Sequence, residues 1–317
     1  MTRRRALLAA AALAPFAARA QAPAYPTRPI RIIVAYPPGG STDLLARAFA
    51  ERLAARFNGA AVVVENRAGG GGIVGTVAAA QAPADGYTLT LGNNQTHASN
   101  QAMMRVLPYH VLDSFAPIAR LASVPHAIIV PASGARTIAE LKAKGRVTYA
   151  SSSVGSASHV IGEGIARRFG FEATHVPYRG AAPATQDTVA GIVDYYVSTL
   201  PTMMPLLREG RVRALAIGSP ARHPELPDVP TFDEVGAQGL AVDAWFGLWA
   251  PAGTPEPIVS RLGEAAVAIV GEPAMQERLA GMGFVAAPLS PAEFARFQRE
   301  EVARWTALAE LTGIRME

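Results

Sequence analysis

The sequence predicts an α/β protein of two lobes, each a mostly parallel sheet flanked by helices, joined where the chain crosses between them twice. Three observations carry that prediction. From residue 30 to about 105, short apolar or β-branched runs alternate with helix-periodic stretches, the pattern of consecutive βα units and a parallel sheet. A long extended stretch at 115–132, interrupted by Pro117, Pro125 and Pro131, leaves that series and opens a second one that runs to 218. The aromatic run 245–250 and the helical segments after it return the chain to the first series, so the second is inserted within the first. The division expected is 21–122 plus 245–317 for one lobe and 123–244 for the other.

The chain opens with Arg3, Arg4 and Arg5, then an alanine-rich apolar run at 6–18 and the small-residue segment Ala18-Arg19-Ala20-Gln21-Ala22. A charged start, an apolar middle and an A-x-A site read as a cleaved signal peptide at 1–20, with cleavage after 22 the alternative. The run is too short to span a bilayer, and its arginines leave general and twin-arginine export both open. The expected location is the periplasm. Of the 29 Lys and Arg residues, four lie in this leader, which has no acid; the remainder holds 25 basic and 25 acidic residues. A neutral mature chain has no electrostatic footprint for nucleic acid. The absence of Cys removes disulfides, thiolate zinc sites and Cys nucleophiles.

In order, residues 30–35 read as a buried strand and 44–57 as a helix with Leu45, Phe49 and Leu53 on one face. Strands follow at 60–66 and 87–92, with a glycine cluster and an alanine-rich helix (74–82) between them. The second series begins with a short helix at 137–144, started by Thr137 and Glu140 in a capping box. Strands at 147–150, 174–178, 193–198 and 212–218 alternate with helices at 160–169, 181–190 and 203–209. Residues 219–240 read as loop with one short helix near 232–235, and Trp245, Phe246 and Trp249 as packing and hinge between the lobes, with ligand contact the alternative. Helices at 257–270 and 273–282 precede a terminal helix launched by Ser290, Pro291 and Glu293.

The first strand–helix junction is Tyr36-Pro37-Pro38-Gly39-Gly40-Ser41-Thr42-Asp43. A tight glycine turn ahead of a helix start directs free N–H groups and the positive end of the helix dipole at one spot, which suits an anion. The same residues also make an ordinary capped turn, with Ser41, Thr42 or Asp43 as the cap. Gly70, Gly72 and Gly75 match G-x-G-x-x-G, but no acid stands where a ribose would need one, so a nucleotide cofactor is not expected. Gly155-Ser156-Ala157-Ser158-His159 raises the question of a serine hydrolase, with Ser156 or Ser158 as nucleophile. Ser156 and His159 fall on one helix turn, however, whereas a triad histidine approaches from a distant loop. The six histidines show no metal-type pairing, and neither metal nor cofactor is expected. Arg179, after a strand of the second series, is either a carboxylate partner or a solvated loop arginine. Polar loops at 36–43, 93–97, 151–156 and 198–202 bring together no nucleophile–base pair, which favours binding over catalysis.

The chain resembles the Bug-type substrate-binding proteins of tripartite tricarboxylate transporters. The resemblance lies in YPPGGSTDLLAR (36–47), VVVENRAGGGGIVGT (62–76), ADGYTLTLG (84–92) and YHVLDSFAPI (109–118). It continues in PYRGAAPATQD (177–187), GIVD (191–194), GRVRALAIGSPAR (210–222), PDVPTFDEVG (227–236) and WFGLWAPAGTP (245–255). It implies a two-lobed type II periplasmic-binding-protein fold, and a cleft that holds a small mono-, di- or tricarboxylate, largely by backbone amides. Carried onto this sequence, one loop supplies Tyr36, Pro38, Gly39, Gly40, Ser41 and Asp43, and the other Ser152, Ser153, Gly155 and Ser156. Thr96 lies nearby, Arg179 is a further candidate, and Ser198 with Thr199 stands where many relatives place an acid that reaches the ligand. The implied role is a monomeric, non-enzymatic receptor that delivers its ligand to membrane transporter subunits. A ligand-presenting sensory module is the alternative within the same fold.

Overall fold

A computed structural model describes residues 25–312; the leader expected at 1–22 lies outside the described residues. The first series forms β1 (Ile30–Val34), α1 (Ser41–Arg56), β2 (Val62–Asn66), a tight turn at Gly70–Gly72, α2 (Ile73–Ala80) and β3 (Thr88–Asn93). A π-helical turn (Gln95–Ser99) and the short α3 (Asn100–Met103) lead to β4 (Phe115–Val124). Beyond Pro125 come β5 (His126–Pro131), α4 (Ile138–Ala143), β6 (Arg146–Ser151), α5 (Ala157–Phe169) and β7 (Glu172–Pro177). The insertion ends with α6 (Ala181–Val189), β8 (Tyr195–Thr199), α7 (Leu200–Arg208) and β9 (Val212–Ile217). The return comprises β10 (Ala244–Pro251), α8 (Glu256–Gly271), α9 (Pro273–Gly281), β11 (Val285–Leu289) and α10 (Pro291–Thr312).

These strands build two sheets, ordered β11-β4-β10-β3-β1-β2 and β7-β6-β8-β5-β9. In the first, β1 pairs in parallel with β2 and β3; in the second, β6 does so with β7 and β8. The strands that follow each crossing, β5 and β10, run antiparallel to both neighbours. The two crossings lie side by side: Ala244 faces Val124 across the ladder, and His126 Nδ1 is 2.7 Å from the Val242 carbonyl. Apolar residues of β1 pack with Leu45, Phe49 and Leu53 of α1, as their spacing predicts, while Ile129 and Tyr196 pack with Met203 and Met204 of α7.

Three local expectations change. No helix forms at 232–235: Thr231 and Glu234 exchange the hydrogen bonds of a capping box, but Gly236 turns to φ +87° and the chain leaves helical geometry. An additional strand, β11, lies in a stretch that the sequence does not mark, since Val-Ala-Ala-Pro-Leu carries little β signal. Trp245 and Trp249 are not packing between lobes. They are buried in the first sheet against α10, where their indole N–H groups donate to Glu301 (2.8 Å) and Gln298 (3.0 Å).

Candidate ligand-binding cleft

The C-terminal ends of β1, β3, β6, β7 and β8 open onto the space between the sheets, where open α/β sheets bind ligands. At the first junction Gly40, not a side chain, is the N-cap of α1, and it supplies no side-chain cap. Asp43 reaches back instead, accepting from the Gly39 N–H (3.0 Å), Asn66 Nδ2 (2.9 Å) and Arg47 Nε (3.0 Å). Burial alone would raise its pKa; Arg47, the Gly39 amide and Asn66 outweigh it and hold the carboxyl below the usual range. The carboxylate is therefore turned away from the cleft and clamps the loop from behind. Gly180 and Thr199 likewise begin α6 and α7 without side-chain caps. Ser156 does cap α5, accepting from the His159 N–H at 3.3 Å.

Helix starts from both lobes thus converge on an inner chamber of about 70 Å³. Its wall includes Tyr36, Gly40, Ser41, Thr42, Asn94, Gln95, His126, Ser152, Ser156, Ala181 and Thr199. Among the described residues, no Asp, Glu, Lys or Arg lines it. Burial lowers His126 to about 4, leaving the imidazole neutral, and pushes the Tyr36 phenol above its usual range, leaving it protonated. Asn94 is buried, and its Nδ2 has no hydrogen-bond partner among the described residues. Open first-turn amides, converging dipoles and an unused amide donor form an electropositive pocket without a formal charge, suited to an anion. A wider outer chamber of about 640 Å³ shares Tyr36, Pro37 and Ser152 with it and extends past Gly69–Gly72 to Arg179. The glycine fingerprint serves packing: a Cβ on Gly72 (φ +89°) would stand 2.5 Å from the Thr96 methyl and 3.2 Å from the Tyr36 hydroxyl.

The structure brings Tyr36, Gly40, Ser41, Ser152, Ser156 and Thr199 to the inner chamber, and Ser153 and Arg179 to the outer. The others stand back. Pro38 and Gly39 are exposed at the turn, and Asp43 lies behind it. Thr96 is fully buried, binding the Asn93 N–H (3.2 Å) and His97 Nδ1 (2.9 Å). Gly155 shapes its loop at φ +73°, and Ser198 is buried in β8 outside both linings. Thr42 joins the inner chamber from the same junction as Ser41, and Asn94, Gln95, His126 and Ala181 are wall residues outside the sequence-derived candidates. Asn94 and Gln95 were within sight, since they belong to a polar run at a strand end.

The hydrolase geometry is not formed at Ser156. Its Oγ is 2.7 Å from the Ser153 carbonyl, and His159 Nδ1 accepts the Gly155 N–H at 3.1 Å. A Ser–His side-chain bond does exist between Ser151 and His175 (2.6 Å), but Ser151 is fully buried and lines neither chamber.

Residues 45–314 match the family described as "Tripartite tricarboxylate transporter family receptor". The chain belongs to this family. Among solved structures it is similar to the periplasmic binding protein BugD, with 33% identity, a TM-score of 0.87, and 92% of this chain and 100% of that one covered. It is also similar to Rpa4515 of R. palustris, solved with adipate, with 34% identity, a TM-score of 0.86 and coverage of 92% and 99%. MatC from Rhodopseudomonas palustris, with bound malate, gives 32% identity, a TM-score of 0.82 and coverage of 90% and 99%. The receptor family's two-lobed type II periplasmic-binding fold is the architecture described above.

Proposed function

We propose that this receptor is exported to the periplasm, captures a small organic carboxylate in its inter-lobe cleft, and delivers it to a tripartite tricarboxylate-type membrane transporter. The observation that carries the reading is the uncharged inner chamber, where helix starts from both lobes meet and Asn94 Nδ2 lacks an acceptor. The lobes are 21–122 plus 245–317 and 123–244, so a bound carboxylate bridges amides near Gly40–Thr42 to those near Ser156 and Ala181. Charge-assisted hydrogen bonds contribute about 1.5–3 kcal/mol each, so a few of them account for the ~8 kcal/mol of micromolar binding. Adipate and malate in the two R. palustris neighbours support a carboxylate as the ligand class.

Calorimetry with mono-, di- and tricarboxylates tests this. Stoichiometric binding without turnover is expected, with Gly40→Val weakening it at least tenfold while leaving the melting temperature within a few degrees. Ester hydrolysis by the wild type that is lost in Ser156→Ala would replace binding with catalysis.

A further inference from the structure

Away from the cleft, a cavity of about 710 Å³ opens on the second sheet, and none of its lining residues lines either chamber. It is bounded by α4, the end of α5, the strand β9 and the segment 228–235. Its inner wall is apolar: Ile138 and Leu215 are buried, and Phe169, Val229 and Val235 half-buried. Arg136, Lys142 and Arg213 also line it, from the approach to α4, from α4 itself and from β9. The other cations between residues 123 and 244 show the contrast. Lys144, Arg146, Arg167, Arg208, Arg211 and Arg222 each face a carboxylate, and Arg168 donates to the Gly236 carbonyl (2.8 Å) and Gln238 Oε1 (3.0 Å). Arg136, Lys142 and Arg213 take part in no ion pair among the described residues. Arg213 reaches only the Gly134 and Ala135 carbonyls, each at 3.4 Å. Apart from Arg179 in the cleft, the uncommitted cations of this part of the chain gather at one apolar cavity, against a single acid, Asp228.

We infer that this cavity is a separate binding site for a small amphipathic anion, whose hydrocarbon body lies on Ile138, Phe169 and Leu215 while its anionic head pairs with Lys142 and Arg213 at the rim. Two costs of the empty cavity point to such a ligand. Like charges brought together without a counter-charge repel one another, and an anionic head offsets them. Apolar wall left facing water is unfavourable, and a hydrocarbon body removes it from water. A guanidinium and an ammonium with no carboxylate of their own are free to take one from the ligand. The size suits a small molecule, since pockets of about 300–1,000 Å³, mostly apolar with a few placed polar groups, are the usual form of such sites. The site is independent of the cleft and of the carboxylate captured there.

The test is calorimetry at low salt with decanoate and, as its uncharged counterpart, decanol. Wild-type protein is expected to favour decanoate by roughly tenfold, the effect of one charge-assisted hydrogen bond. The preference should shrink as salt is raised, because Arg136 and Lys142 are exposed. Lys142→Gln and Arg213→Gln should each reduce it, and the two together should bring the pair to parity. Arg213 also holds the carbonyls ahead of α4, so Lys142→Gln, at an exposed position, keeps the test open if Arg213→Gln loosens that helix. In a Gly40→Val background, where the cleft is impaired, the preference should persist and the same substitutions should remove it. A preference that disappears with Gly40→Val places decanoate in the cleft and overturns the site. Equal affinity for acid and alcohol overturns it too, as does a preference that survives the double substitution, or no binding of decanoate at all.

Discussion

At the scale of single residues, the histidines separate two roles that the sequence shows as one residue type. His97 stacks on Trp249 with centroids 3.6 Å apart, His126 walls the inner chamber, and His159 and His175 stack on each other at 3.9 Å. Burial lowers His97 to about 3 and His126 to about 4; burial, then the neighbouring His159, lowers His175 to about 4. The unfolded chain titrates near 6.5, so between there and about 4 it binds more protons than the native state. Stability is thus fully present above about 6.5 and lost as the pH falls through that window. Urea midpoints should drop steadily from neutral pH to about pH 5; a flat midpoint would refute the assignment. That no two of these histidines stand at a metal-type i, i+4 spacing was legible in the sequence. That they are neutral core residues was not, because burial depends on β10 and α5, which lie far from some of them in sequence. Asn94 was hidden for the same reason: its Nδ2 becomes a buried donor without a partner only in the folded chain.

Elements were read best where one local signal decided them. The apolar run of β1, the Thr137 and Ser156 caps and the Ser290–Glu293 start all stand as their residue types require. Those set by tertiary pairing were read least well: β11 takes its conformation from an antiparallel partner, β4, and the aromatic strand β10 takes its burial from α10. The junction of β10 and α10 also supports the site. Gln298 accepts from Trp249 Nε1 and donates to the carbonyls of His97 (3.0 Å) and Val111 (2.9 Å), so it ties the terminal helix to the turn that carries Asn94 and Gln95. Replacing Gln298 with Leu leaves an indole N–H and two carbonyls buried without this partner, at a cost of about 1–3 kcal/mol for each group that stays unsatisfied. A lowered melting temperature is expected, together with weaker carboxylate binding from the loosened turn. Unchanged affinity in a destabilised variant would confine α10 to a role in folding.

For the molecule as a whole, the lobes meet through side chains as well as through any ligand they share. Ser41 Oγ lies 2.5 Å from Thr199 Oγ1 and 3.1 Å from Thr202 Oγ1, and Gln95 Nε2 donates to Ser153 Oγ at 2.6 Å across the opening. Each bond exists only with the lobes together, so each shifts the balance towards closure. Thr202 isolates this effect, since it lines neither chamber, and Val preserves its shape. One neutral hydrogen bond contributes about 0.5–1.5 kcal/mol, so Thr202→Val should weaken carboxylate binding roughly two- to tenfold. The loss belongs in the dissociation rate, because encounter precedes closure while release requires the closed form to open. Stopped-flow kinetics should therefore show faster release with nearly unchanged association. Small-angle scattering of the unliganded variant should show a larger radius of gyration than that of the unliganded wild type. If association slows while release stays the same, the hydroxyl contacts form during capture and do not act as a latch.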